Sequence, residues 1–220
     1  VTLTVHRGEV IGLAGMEGSG QRQFLQACAG IIRPVAGDIY LDGKRLTGRP
    51  YRDFLEAGIT YVPAARLEEG LIPGLTLTEH FVLAEPQEGF VVNRQKAAAL
   101  TTQRIADFSI KGMPTSTVES LSGGNQQRAL LAMLRQPLNL LLLEHPTRGL
   151  DIESTIWIWG KLKERCRQGT AIIFTSADLE EILHYSDRIL VFFGGKVSQP
   201  IEATKTSVEE LGQLIGGKGF

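Results

Sequence analysis

The chain has 220 residues, 43% of them hydrophobic, and a formal net charge of -1 at pH 7. This length supports one large domain, or one domain with a subdomain, and the near-neutral charge argues against a strongly basic nucleic-acid surface. The cysteines, Cys28 and Cys166, have no paired spacing, which indicates a reducing compartment and neither a disulfide framework nor a thiolate metal site. No apolar run approaches the roughly 20 residues of a membrane-spanning helix.

The N-terminal part combines short apolar runs, a glycine loop and a helix. Val1–Val5 alternates as a strand does, and because it starts without methionine we expect a fragment of a longer polypeptide. Val10–Ala14 predicts a buried strand, Gly15–Gly20 a glycine loop, and Gln21–Ala29 a helix. This order is the context that a phosphate-binding loop requires. A plain glycine turn that packs a helix on a strand remains the alternative.

The rest of the chain continues this alternation of strands and helices. Further strands are predicted at Gly37–Leu41, Ile59–Val62, Leu138–Leu143, Thr170–Thr175, Arg188–Phe193 and Lys196–Ser198. Helices are predicted at Arg52–Ala57, Leu77–Glu85, Arg94–Phe108, Ala129–Leu134, Ile152–Arg167, Asp178–His184 and Val208–Ile215. The pattern predicts an α/β fold with a mostly parallel sheet covered on both faces. We expect a core of about residues 1–75 and 136–220 and a helical subdomain of about 76–135.

Several tryptophan, arginine and histidine side chains are expected to have structural roles. Trp157 and Trp159 lie two apart in a predicted helix, so one should be in the core and the other partly exposed. Arg104, Arg128 and Arg135 are expected on a solvated helix face. His6, His80 and His184 are scattered, so we expect surface or packing roles and no metal site.

The glycine loop lacks the two side chains that usually complete a phosphate site. After G-x-x-x-x-G a lysine binds the terminal phosphates and a Ser or Thr hydroxyl binds magnesium. The chain has Gln21 and Arg22 there, so it offers a neutral donor and a guanidinium that should repel a cation. Backbone amides and the helix dipole remain, so phosphate affinity should be weakened and not abolished.

A second motif lies at Leu140–Asp151, where an apolar strand ends in Glu144 and His145 before P-T-x-G-L-D. In a phosphate-hydrolysing site the first acid holds magnesium through water and the second polarises the attacking water. Glu144 keeps the charge and is a possible Mg²⁺ ligand. His145 replaces the second carboxylate with an imidazole of different shape. Its unperturbed pKa of about 6.5 would let it accept a proton at neutral pH, but it could equally act as a donor.

The third motif is LSGGNQQR, Leu121–Arg128. A helix start after two glycines favours an anion, although a serine N-cap alone would also produce this pattern. With the phosphate loop and HPTRGLD, the whole chain resembles the ATP-binding domain of ABC transporters. The pattern is most similar to the second ATP-binding half of tandem sugar or nucleoside importers, including Arg66 in the long loop after Ile59–Val62.

The resemblance implies a phosphate-loop core, an antiparallel β subdomain and a helical subdomain that ends in the signature motif. It implies two such domains that sandwich two ATP molecules with Mg²⁺, each ATP lying between one domain's phosphate loop and the other's signature. Expected partners are a second ATP-binding domain, on the same chain or separate, and membrane-spanning permease subunits at the cytoplasmic face of the membrane. No nucleic acid is expected.

The family's site positions fall on residues of this chain as follows. Nucleotide-binding positions are Gly15, Gly18, Ser19, Gly20, Gln21 and Arg22; signature positions are Ser122, Gly123, Gly124 and Gln126; the interface loop has Asp151; the catalytic positions are Glu144 and His145; and the sensor glutamine and histidine positions are Ala64 and Ala177.

The positions for lysine, hydroxyl, glutamine, catalytic glutamate and histidine all depart from the family pattern, whereas the signature is intact. We therefore expect a degenerate ATP site on this domain and a signature that completes the partner's site. Two alternatives remain open at this point. The domain could hydrolyse ATP by itself with His145 as the base, or it could be a regulatory ABC module outside transport.

Overall fold

The structure is a computed structural model that describes residues 1–85 and 92–219. Its strands are β1 Val10–Gly15, β2 Tyr40–Leu41, β3 Lys44–Arg45, β4 Ile59–Val62, β5 Leu140–Glu144, β6 Ala171–Thr175, β7 Arg188–Phe193, β8 Lys196–Val197 and β9 Ile201–Glu202. Its α-helices are α1 Gln21–Cys28, α2 Tyr51–Glu56, α3 Leu77–Ala84, α4 Arg94–Asp107, α5 Gly123–Ala132, α6 Ile152–Arg167, α7 Leu179–Tyr185 and α8 Val208–Ile215. In these described ranges no helix is long and apolar enough to cross a membrane.

A mostly parallel sheet forms the centre of the fold, in the strand order β4-β5-β6-β1-β7-β8, and β9 also pairs with β7. The first five strands of this order are parallel, and β8 and β9 run antiparallel to β7. The parallel strands are apolar and almost wholly buried, as expected for strands covered on both faces. Their carboxyl ends share one edge, where Thr175 is in register with both Leu13 and Glu144.

The predicted α/β class is confirmed, with differences at the shortest elements. Val1–Val5 forms no strand, although Leu3 and Val5 pack against the core, so its alternation reflects burial without a partner strand. Gly37–Leu41 contributes only β2, which pairs with β3 across Asp42 and Gly43. Both turn residues have positive φ, 47° and 77°, as a tight hairpin turn requires.

The described chain separates into two compact units. The first comprises Val1–Val62, Pro137–Pro146 and Trp159–Phe220 and contains the central sheet. The second comprises Pro63–Gln136 and Thr147–Ile158, so it contains α3, α4, α5 and the first residues of α6. The helical subdomain expected at about 76–135 lies within this second unit.

Several polar side chains bond to backbone groups within the second unit. His80 is 1% exposed, and its Nε2 accepts from the backbone N–H of Ile72 at 2.9 Å. The arginines expected on a solvated face are partly or fully exposed, and they also donate to backbone carbonyl groups: Arg104 to Ala132, Arg128 to Ser109 and Arg135 to Leu83. These bonds satisfy carbonyls that helix ends leave without an internal partner.

Candidate functional site

The glycine loop leads from β1 into α1 at the carboxyl edge of the sheet. Gly18 and Gly20 have φ values of 83° and 114°, which favour glycine. A Cβ on Gly15 would lie 2.8 Å from the backbone carbonyl oxygen of Phe192, so this position excludes a larger residue. Within the described residues no side chain caps the start of α1. The amides and dipole of the helix start are therefore oriented for an anion.

Gln21 is 9% exposed, and its side chain turns back into the loop. Its Nε2 donates to the carbonyl of Met16 at 3.3 Å. This neutral bond braces the loop at the position where a lysine would supply a charge for the terminal phosphates.

Arg22 and Glu144 form an ion pair across the carboxyl edge of the sheet. Nε of Arg22 lies 3.6 Å from Oε1 of Glu144, whose side chain is 4% exposed. Burial raises the pKa of Tyr61 in β4, and the neighbouring Glu144 carboxylate raises it further, so the phenol stays protonated. The guanidinium of Arg22, in the same compact unit, thus places a positive charge beside the buried Glu144 carboxylate.

These residues do not fit a magnesium ion at this loop. Mg²⁺ requires oxygen ligands in near-octahedral geometry, and Arg22 supplies nitrogen donors where the hydroxyl ligand is expected. The guanidinium already lies beside the carboxylate that would hold the ion through water. Among residues 1–85 and 92–219, no group of three or more His, Cys, Asp or Glu could hold a metal ion.

His145 follows Glu144 in a left-handed backbone conformation, with φ of 43°. Its N–H donates to the carbonyl of Thr175 at 3.0 Å, which fixes the turn after β5 against β6. Such a conformation is uncommon for a residue other than glycine, and strained backbone of this kind clusters at functional sites. Ala64, after β4, and the exposed Ala177, after β6, provide only methyl groups at the positions where the sequence resemblance places the sensor side chains.

The signature motif forms the start of α5. The helix begins at Gly123, six residues earlier than the apolar run alone predicts, because the amide-rich segment is itself helical. Ser122 stands at the N-cap, and its Oγ accepts from Nδ2 of Asn125 at 2.8 Å. In the described chain no side chain caps the amides at this helix start. The segment therefore presents a hydroxyl and backbone N–H groups in a geometry suited to an anion.

The buried side chain of Gln126 supports the start of α5 from inside the unit. It is 8% exposed, and its Nε2 donates to the carbonyls of Val118 and Leu121 at 3.2 and 3.1 Å. These bonds attach α5 to the segment that precedes it. Gln126 thus holds the signature in place from inside the unit.

Arg66 joins the signature to the loop that contains Asp151. Its guanidinium donates to the carbonyl of Gly123 at 3.4 Å and to the carbonyl of Arg148. A Cβ on Gly123 would lie 2.9 Å from Nη1 of Arg66, and one on Gly124 would lie 3.0 Å from Oγ of Ser154. Both glycines therefore allow close packing. The sequence shows the family similarity at Arg66 but does not reveal this contact, because it joins segments far apart in sequence.

Asp151 caps the start of α6. Its carboxylate accepts from the N–H and the hydroxyl of Ser154 at 2.8 and 2.9 Å. The backbone N–H of Ser154 holds the pKa of Asp151 below its usual value, so the carboxylate is ionised at neutral pH. One turn on, Trp157 lies under the guanidinium of Arg128, 4.0 Å from the ring centroid, which links α6 to the signature helix.

A glycine loop between a strand and a helix, an acid at the end of another parallel strand of the same sheet and a second glycine-led helix define a nucleotide-binding domain of the phosphate-loop class. The family described as ABC transporter matches residues 1–148. The chain therefore belongs to the ATP-binding domains of ABC transporters, a family that binds ATP, typically with Mg²⁺.

Similar curated proteins include the Escherichia coli K12 uncharacterized ABC transporter ATP-binding protein YphE, 34% identical over 98% of this chain and 44% of that protein. The arabinose import ATP-binding protein AraG of Yersinia pestis is 33% identical over 96% and 41%. The guanosine import ATP-binding protein NupO of Bacillus subtilis is 32% identical over 99% and 44%. The chain spans less than half the length of these relatives.

Solved structures show the same fold. The dimeric post-hydrolysis state of the ATP-binding cassette MJ0796 bound to ADP and Pi superposes with a TM-score of 0.78 at 21% identity, covering 92% of this chain and 89% of that one. The ATP-binding subunit of another ABC transporter gives 0.77 at 22% identity, covering 98% and 91%.

Proposed function

We propose that this chain is an ATP-binding domain of an ABC importer for a sugar or nucleoside. It would act at the cytoplasmic face of the membrane, bound to permease subunits and paired with a second ABC ATP-binding domain. In that pair its signature completes the ATP site on the partner's phosphate loop, while its own site is degenerate. The starts of α1 and α5 are both uncapped, so the observation that carries the proposal lies in the side chains beside them. At the glycine loop Gln21 and Arg22 bond to Met16 and Glu144, whereas the Ser122 hydroxyl at α5 only accepts, from Asn125.

The relatives support the importer assignment. Two of them are named as import proteins for arabinose and guanosine, and each is more than twice as long as the matched region. Such lengths leave room for a second ATP-binding domain on one polypeptide. Sugar and nucleoside import are therefore the transport classes that we propose here.

The geometry of Ser122 indicates how the signature would act. Its hydroxyl accepts from Asn125, so its own proton remains for a phosphate oxygen of the partner's ATP. The N–H groups of Gly123 and Gly124 and the positive end of the α5 dipole would stabilise the same charge. Preorganised donors of this kind act most strongly on charge that develops in the transition state. The attacking water and the base would belong to the partner's half.

The test measures ATP hydrolysis by the assembled pair. Ser122→Ala is expected to lower the rate about 100-fold, as removal of one preorganised donor does. Thr102→Ala removes an exposed hydroxyl on α4 that bonds only within its own helix, so it is the matched control and should leave the rate nearly unchanged. Thermal unfolding of both variants separates lost chemistry from lost structure. An unchanged rate in a folded Ser122→Ala variant would overturn the proposal.

A second candidate function is ATP hydrolysis by this domain itself with His145 as base. The left-handed backbone of His145, directly after the buried Glu144, favours it. In that case the chain without its partner would turn over ATP, and His145→Ala would lower the rate by about 10²–10⁴. We expect instead that the isolated chain hydrolyses ATP very slowly and that His145→Ala changes this rate little.

A further inference from the structure

Arg22 lies where the magnesium ion of a phosphate loop would need its hydroxyl ligand. It is the second residue of α1, directly after the glycine loop and Gln21. Its Nε is 3.6 Å from the carboxylate of Glu144 at the end of β5. The position between the loop and this acid is therefore occupied by a permanent positive charge that belongs to the protein.

The charge and shape of a guanidinium suit the role that the ion would have had. A bound divalent cation links an acid of the protein to phosphate oxygens and neutralises both. A guanidinium has five N–H donors in a planar fork, a geometry that matches carboxylate and phosphate oxygens. The group also stays positively charged at all ordinary pH values. About half of the Arg22 side chain, 48%, is exposed, whereas that of Glu144 is 4% exposed.

The same arrangement disfavours a metal ion. A divalent cation beside Glu144 would meet the guanidinium at close range in a partly buried place, where like charges repel strongly. It would also lack the hydroxyl ligand. The loop amides and the α1 dipole would still attract polyphosphate.

We propose that Arg22 replaces the divalent cation, so that this domain's own loop binds a nucleoside triphosphate free of metal. This inference rests on the proposed function in assigning a nucleotide to the loop, but it concerns a different set of residues from the signature. Gln21 and the loop amides would bind the phosphates, and Arg22 would connect them to Glu144.

The experiment measures binding of radiolabelled ATP to the 220-residue chain by equilibrium dialysis, once in excess EDTA and once in excess Mg²⁺. The wild-type chain is expected to bind ATP in EDTA at least as tightly as in Mg²⁺. Arg22→Ser should weaken binding in EDTA about tenfold, as loss of a charge-assisted contact does, and Mg²⁺ should restore part of it through the new hydroxyl. Electron paramagnetic resonance of Mn²⁺ with ATP should detect bound metal only in that variant.

Arg52→Ser is the matched control, because Arg52 pairs with Glu56 on the exposed side of α2. It should bind ATP as the wild type does. Arg22→Gln, which keeps a donor without the charge, replaces Arg22→Ser if thermal unfolding shows that the serine variant does not fold. Binding by the wild type that requires Mg²⁺, no wild-type binding in either condition, or equal binding in EDTA by wild type and a folded Arg22 variant would each overturn the proposal. None of these results would change the Ser122→Ala outcome, so the two proposals fail separately.

Discussion

Replacing Trp159 with alanine is expected to lower the free energy of unfolding by about 5 kcal/mol, because two losses combine. The indole is 1% exposed and is stacked on Tyr185 at 4.1 Å between ring centroids, with Phe174 edge-on at 4.8 Å. Its Nε1 donates to Oε1 of Glu181 at 2.6 Å. The variant therefore opens a cavity and removes a donor from a buried carboxylate. Urea unfolding followed by circular dichroism measures the change.

Two further variants separate these contributions. Trp159→Phe keeps an aromatic ring but removes the N–H. Its free energy of unfolding is expected to fall by about 2 kcal/mol, as is typical when a hydrogen bond to a charged group is lost. Ile156, on the same helix, is 62% exposed. The free energy of unfolding of Ile156→Ala should therefore differ from that of the wild type by no more than about 0.5 kcal/mol. A loss in Trp159→Ala no larger than that in Trp159→Phe would contradict the packing argument. Ser176 also donates to Glu181, so this network fixes the turn after β6 beside Ala177.

Replacing Arg66 with alanine is expected to destabilise the second unit by about 2–3 kcal/mol, because two backbone carbonyls lose a charged donor. Burial lowers the pKa of Arg66, and its Nε is itself buried, so the side chain is held by packing as well as by these bonds. In the assembled pair we expect ATP hydrolysis to fall about tenfold, since the start of α5 would lose its brace. Hydrogen exchange at the first amides of α5 reports the local loss directly.

The matched control for Arg66 is Arg148→Ala. Arg148 contributes its backbone carbonyl to this contact, so truncating its side chain should leave the exchange of α5 unchanged. Arg66→Lys offers one ammonium instead of a fork and should be intermediate. If α5 amides exchanged equally fast in the wild type and in Arg66→Ala, the bracing role would be wrong.

Strong periodicity made most of the fold predictable from the sequence. The bounds of β4, α6, β7 and α8 agree with the predicted ones because each element has a clear apolar pattern and a defined stop. The start of α5 was missed because Gly123 and Gly124 have low helix propensity, and tertiary packing against Arg66 and Ser154 overrides it. β9 was missed because a two-residue strand has too little pattern to detect.

The candidate site was predictable in its motifs but not in its contacts. The spacing of the glycines locates the loop and the signature. The prediction that one of the two tryptophans lies in the core is confirmed, and the structure identifies it as Trp159, with Trp157 partly exposed. The pairing of Arg22 with Glu144 joins residues far apart in sequence and depends on the strand order, which the alternation of elements does not determine. Arg128 stays partly exposed, but its bond to the carbonyl of Ser109 was not predicted, because a long side chain can reach the end of a neighbouring helix.

The ion pair between Arg22 and Glu144 balances the charge beside the glycine loop within the protein itself. A carboxylate buried without a counter-ion would destabilise the fold unless a cation bound beside it. Here the counter-ion is covalently part of α1, so the fold needs no ligand to neutralise this edge of the sheet. Any anion that enters the loop must compete with Glu144 for the same guanidinium, and this competition favours highly charged polyphosphates over weaker anions.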